Sequence, residues 1–67
     1  MNMSLKLSQQ EAAEYLGFSV PTLERWRRLG VGPKFLKLGG SRVAYLQEHL
    51  AEYVESRVRT PALEKQS

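Results

Sequence analysis

Apolar and polar positions along this chain follow two different periods. From Leu7 to Leu29 the apolar residues recur at helical spacing. From Phe35 to Tyr45 they fall into short strand-like runs, and from Gln47 the helical spacing returns. Leu7-Ser8-Gln9-Gln10-Glu11 predicts a helix start, with Ser8 capping the amide three residues on and Glu11 reaching back as the reciprocal capping box. Leu7, just before the cap, can staple onto Ala12. Ala12, Ala13 and Leu16 then form a narrow apolar face, small enough for close packing against a second helix, which Gly17 ends.

Ser19 predicts the next cap, and Pro21 falls in the first turn, where its missing N–H costs nothing. Only Gly17 and Phe18 lie between the first helix and that cap, the spacing of a tight helix-turn-helix. The second helix is expected to run to about Leu29 and to stop at Gly30. At about 100° per residue, Val20 and Leu23 define its buried arc, with Trp26 at the edge. Thr22, Arg25 and Arg28 gather on the opposite arc, with Arg25 near its centre. Arg27 shares the arc of Leu23, so it is read as snorkelling past the core or reaching a phosphate rather than contacting a base.

Val31-Gly32-Pro33 predicts a turn, since Pro33 excludes helix. Phe35-Leu36-Lys37-Leu38 and Val43-Ala44-Tyr45 then read as a two-stranded β-hairpin with a four-residue tip, Gly39-Gly40-Ser41-Arg42. A last helix is expected from about Gln47 to Val58, with Leu50, Tyr53, Val54 and Val58 on one face. The expected organisation is one domain over residues 1–58 and a frayed, flexible tail over 59–67. The class is mainly α with a small β-hairpin.

Charge changes the picture. Arg25, Arg27, Arg28, Lys34, Lys37 and Arg42 fall in one stretch without a single Asp or Glu, because acids stop at Glu24 and resume at Glu48. A chain of formal net charge +3 thus concentrates six positives in one block, interleaved with Leu23, Trp26, Phe35, Leu36 and Leu38. Positive charge held on a folded surface, rather than on a loose tail, is the footprint of a nucleic-acid binder. A merely solvated face would have acids interleaved. The candidate DNA contacts are Thr22, Arg25, Arg27 and Arg28 on the second helix, and Lys34, Lys37, Ser41 and Arg42 on and around the hairpin. For Thr22, a second helix cap and a phosphate contact are equally good readings.

Composition narrows the remaining classes. Sixty-seven residues leave room for one small core, marginal by itself, and the chain has neither Cys for a disulfide nor more than one His for a metal site. No metal and no cofactor are expected. No run of about 18 apolar residues is present, and Met1–Lys6 lacks a signal peptide's apolar core, so an intracellular, cytoplasmic protein without a membrane partner is expected. Asp is absent altogether, and His49, read as an exposed helix residue, has no assembled Ser or acid partner. An enzyme with a small-molecule substrate is therefore not expected. Trp26 reads as core before it reads as a base stacker, and Gly39-Gly40 lacks the glycine pattern and following helix of a phosphate loop. Exposed sheet aromatics for stacking RNA bases are not evident.

Taken together, Leu7-Ser8, Glu11-Ala12-Ala13, Leu16-Gly17, Ser19, Thr22-Leu23, Trp26-Arg27, Gly32-Pro33, Phe35, Lys37-Leu38-Gly39, Arg42 and Tyr45 resemble the small winged-helix proteins. That family includes phage excisionases, AlpA-type prophage regulators and, more remotely, the MerR DNA-binding domain. The resemblance implies a winged helix-turn-helix, double-stranded DNA as partner, and a life in phages, prophages or integrative elements. It weakens after Tyr45, where Glu48-His49 precede Leu50 in place of a small polar residue and Asp, so the start of the last helix departs from the pattern. The expected function is that of an excisionase: a non-catalytic factor whose copies bind neighbouring sites cooperatively, bend DNA and steer an integrase, in a bacterial or phage-infected cell. The alternative within the family is transcriptional control of mobile-element genes. The rival outside it is a protein-interaction module or antitoxin that uses the apolar face of the last helix.

Overall fold

Ser8 closes a strand and opens a helix at once. In the computed structural model, which describes residues 5–59 and 61, strand β1 is Lys6–Ser8 and helix α1 is Gln9–Leu16. The Glu11 amide donates to Ser8 Oγ at 3.0 Å while the Ser8 amide donates to the Glu11 carboxylate at 2.8 Å, so the expected capping box is present. Gly17 terminates α1 in the left-handed conformation (φ 79°), where its amide and that of Phe18 both donate to the Ala13 carbonyl. Three residues later helix α2, Val20–Leu29, begins under the Ser19 cap with Pro21 in its first turn, and Gly30 ends it.

Strands β2 (Leu36–Gly39) and β3 (Arg42–Leu46) form the expected hairpin, and helix α3 (Gln47–Ser56) follows β3 directly. The sheet, however, has three antiparallel strands rather than two. Its order is β1-β3-β2, with Leu7 opposite Tyr45 and Leu36 opposite Ala44. Three residues with one apolar side chain are too short to show strand periodicity, and the last of them doubles as the α1 cap. The hairpin tip is also tighter than expected. Gly39 pairs with Arg42, leaving Gly40-Ser41 as a two-residue turn, and the register slips by one between Lys37 and Gly39.

The departure from the family pattern at Glu48-His49 has a structural counterpart. Leu46 stands at the α3 N-cap without any side-chain hydrogen bond, and the Gln47 amide instead donates to the Leu5 carbonyl at 2.8 Å. The edge next to β1 does the work of a capping hydroxyl. The helix ends at Ser56, two residues short of the expected Val58. His49 is half-buried rather than exposed, 3.9 Å from the Glu48 carboxylate. Of the tail expected over 59–67, only Arg59 and Pro61 are among the described residues.

One small core joins these elements: Ala12 and Ala13 from α1, Leu23 from α2, Tyr45 from β3 and Leu50 from α3. Leu7, Leu16, Val20 and Trp26 pack around it. The two alanines of the narrow α1 face are both buried in this core. Gly32 makes the tightest backbone contact: a Cβ there would stand 2.8 Å from Trp26 Cε3, and its φ is +89°. Gly32→Ala therefore combines a clash with an unfavourable backbone and should cost at least about 1–3 kcal/mol. At about 4–8 °C per kcal/mol in a domain of this size, a thermal melt will show it. A melt unchanged from wild type would mean that the turn packs differently on Trp26.

Candidate nucleic-acid interface

Burying Leu23, with Val20 and Trp26 beside it, forces the other side of α2 outward. Pro21, Glu24, Arg25, Arg28 and Leu29 are its exposed residues. Arg25 and Arg28 therefore stand where the helical arc placed them. Thr22 is half-buried and engaged locally, its Oγ1 lying 3.0 Å from Ser19 Oγ and its amide donating to the same oxygen at 3.3 Å. The Thr22 hydroxyl thus joins the Ser19 cap through a side-chain bond rather than capping a backbone amide itself.

Arg27 turns away from that face. Its Nη1 donates to the hydroxyl of Tyr45 at 2.8 Å, and its Cζ lies 5.6 Å from the centre of the Phe35 ring. Tyr45 is 1% exposed, so a buried phenol on β3 obtains its partner from α2. The side chain snorkels past the core, and the guanidinium ties the second helix to the hairpin. Arg27→Ala should lower the unfolding free energy by about 1–3 kcal/mol, because it leaves the Tyr45 hydroxyl without its partner. An unfolding midpoint equal to that of wild type would show that this bond contributes nothing to the docking of α2.

A groove runs between α2 and the hairpin. It is lined by Glu24, Arg27 and Arg28 on the helix side and by Phe35, Lys37, Gly40, Ser41 and Val43 on the hairpin side. Four of the expected contact residues, Arg27, Arg28, Lys37 and Ser41, thus converge from elements far apart in sequence. Arg42 does not join them. It lines a separate depression with Lys6, Ser8 and Glu11, on the β1 side of the hairpin. Lys34 lies at the base of the hairpin, beside Gly32, Pro33, His49 and Glu52. Two charged residues at these places escaped the sequence reading. Glu24 is the acid that precedes the basic block rather than a member of it, and Lys6 lines the same depression as Arg42 only because β1 pairs with β3.

On another side, Trp26 packs edge-on against Phe18 (ring centroids 4.8 Å apart) and tilted against Tyr53 (5.8 Å). It belongs to the packing, as expected, and is not presented as a free stacking platform. Around it Leu16, Phe18, Tyr53, Val54, Arg57 and Val58 line an open apolar groove, with Phe18 50% and Val58 63% exposed. Among the described residues no helix is long and apolar enough to cross a membrane.

In comparison with known families, a model described as a helix-turn-helix domain matches residues 7–58. That span takes in every element from the middle of β1 to just beyond the end of α3. No curated protein matches the chain.

Proposed function

Because the chain belongs to the helix-turn-helix domain family of excisionase- and AlpA-type small DNA-binding proteins, we propose that α2 enters the major groove of duplex DNA while the β2–β3 wing grips the adjoining backbone. The observation that carries this reading is the exposed Arg25–Arg28 face of α2, standing beside a groove that Arg28, Lys37 and Ser41 line together. A major groove about 12 Å wide accepts one helix, and a phosphate strand beside it fits between that helix and the wing. Arg25 and Arg28 then reach base edges, Lys37 and Ser41 the phosphate in the groove, and Arg42 the backbone or minor groove beyond the wing. Lys34 and Thr22 contribute at the periphery. Residues 1–58 act as one DNA-binding domain in the cytoplasm, and the activity is binding rather than catalysis.

Among the jobs open to such a domain, we favour the excisionase. No helix among the described residues exceeds ten residues, so none resembles the long coiled-coil arm of a two-fold repressor. One recognition helix and one wing cover a short site, and specificity against a genome then requires several copies side by side. The apolar groove of Phe18, Trp26, Tyr53, Val54 and Val58 gives each copy a surface for its neighbour. Cooperative copies on one side of the duplex curve it, and a 40–90° bend costs on the order of 1–6 kcal/mol, which their contacts offset. Bent DNA brings distant integrase sites together. Circular-permutation gel shifts on the native site should show position-dependent mobility, and the protein should promote excision by its cognate integrase in vitro. Straight DNA, or excision indifferent to the protein while a nearby promoter responds, would favour transcriptional control.

Two further outcomes follow from these assignments. Arg42→Ala should weaken specific and non-specific duplexes about equally and flatten the log–log salt dependence by roughly one unit. A loss confined to one base position would make the wing a direct reader. In analytical ultracentrifugation the free protein should sediment as a monomer and load stepwise on DNA with repeated sites. A tight dimer without DNA would point instead to a two-fold repressor on a palindrome.

A further inference from the structure

Glu24 is the lone acid of α2, and it is exposed on the face that carries Arg25 and Arg28. It has two cationic neighbours at helical spacing, Arg27 three residues on and Arg28 four, in the orientation that favours ion pairs. Yet among the described residues its carboxylate makes no ion pair and no hydrogen bond. Arg27 has turned to Tyr45 and Phe35, and Glu24 faces the groove toward the wing, alongside Arg28, Lys37 and Ser41. A free carboxylate at this place has a consequence for the ligand. Phosphate oxygens repel it, and so do the N7 and O6 acceptors that guanine presents in the major groove. The donors that bases offer there are the exocyclic amines of cytosine and adenine, and adenine's amine adjoins the N7 acceptor. Cytosine N4–H₂ is the edge on which a carboxylate is best satisfied.

We propose that Glu24 is a specificity-determining residue, accepting a hydrogen bond from the N4 amine of a cytosine on the wing side of the base that Arg25 contacts. The inference rests on the proposed entry of α2 into the major groove. On any duplex lacking that amine, the unsatisfied carboxylate stands close to phosphates and acceptors and weakens binding. The same residue thus rewards one base and penalises non-specific DNA, which an all-cationic helix would bind indiscriminately.

Selection from randomised duplexes tests this, with wild type and Glu24→Gln run in parallel. Gln keeps the size and helix preference of Glu, and no partner is lost, so both proteins should melt together. Wild type should enrich cytosine about tenfold at one position. In Glu24→Gln that preference should disappear or move to adenine, whose N6 and N7 suit an amide, and affinity for non-specific duplex should rise several-fold. If wild type enriches a site and the variant enriches the same one as strictly, Glu24 reads no base and the inference falls while the DNA reading stands. A variant that gains non-specific affinity but keeps the same cytosine preference overturns it equally. If wild type enriches nothing, the placement of α2 fails, and this inference with it.

Discussion

Leu50→Ala should remove most of the stability of this fold. Leu50 is fully buried and is the residue by which α3 reaches the shared core of Ala12, Ala13, Leu23 and Tyr45. Truncating a buried leucine costs about 2–5 kcal/mol, the lost transfer energy plus the cavity left behind. A chain of 67 residues has in total about 3–10 kcal/mol, at the usual stability per residue. Helix α3 has no side-chain cap to compensate. Urea unfolding followed by Trp26 fluorescence measures the effect, since Trp26 is the sole tryptophan and packs between Phe18 and Tyr53. Val54→Ala on the same helix is the control: its side chain is exposed, and the change should stay within about 0.5 kcal/mol. Equal costs for the two would mean that α3 is not anchored through Leu50.

Arg25→Ala should have the largest effect on DNA. The guanidinium is exposed on α2, outside the groove that the wing shares, so it is free to meet guanine O6 and N7 as a bidentate donor. Loss of such a pair costs about 1–3 kcal/mol on the specific site and relaxes preference at one position, while non-specific affinity falls much less. Arg27→Ala offers the contrast on the same helix, because its cost should fall on stability through Tyr45 rather than on sequence preference. Should Arg25→Ala bind the selected site as tightly as wild type, α2 would not be the reading helix.

The caps, the helix arcs and the positive block were legible because each is a local pattern. Ser8 with Glu11, Ser19 with Pro21, and the glycines after Leu16 and Leu29 mark helix ends through bonds that span a few residues. The arc of Val20 and Leu23 was enough to orient Arg25 and Arg28. What stayed hidden depends on pairing across the chain. Lys6–Ser8 became a strand only because β3 offers an edge, and that pairing also brings the Leu5 carbonyl, just before β1, to the Gln47 amide in place of an α3 cap. Arg27 could be placed on the core side of its helix, but its partner Tyr45 lies 18 residues away. Lys37 and Arg42 are close in sequence, yet the structure places one in the α2 groove and the other in the depression on the β1 side of the hairpin. Glu24 read as the border of the basic block, and its position inside the groove emerges only when the wing folds against α2.

In the proposed function one surface, α2 with the wing, receives duplex DNA. Amide chemical-shift mapping during titration with a selected duplex tests it residue by residue. The largest changes should fall on Thr22 to Arg28 and on Lys37 to Arg42, with smaller ones at Phe18, Val54 and Val58 while a single copy is bound. Silent amides across α2 and the wing, with the changes gathered on the apolar groove or absent altogether, would mean that DNA does not bind this surface.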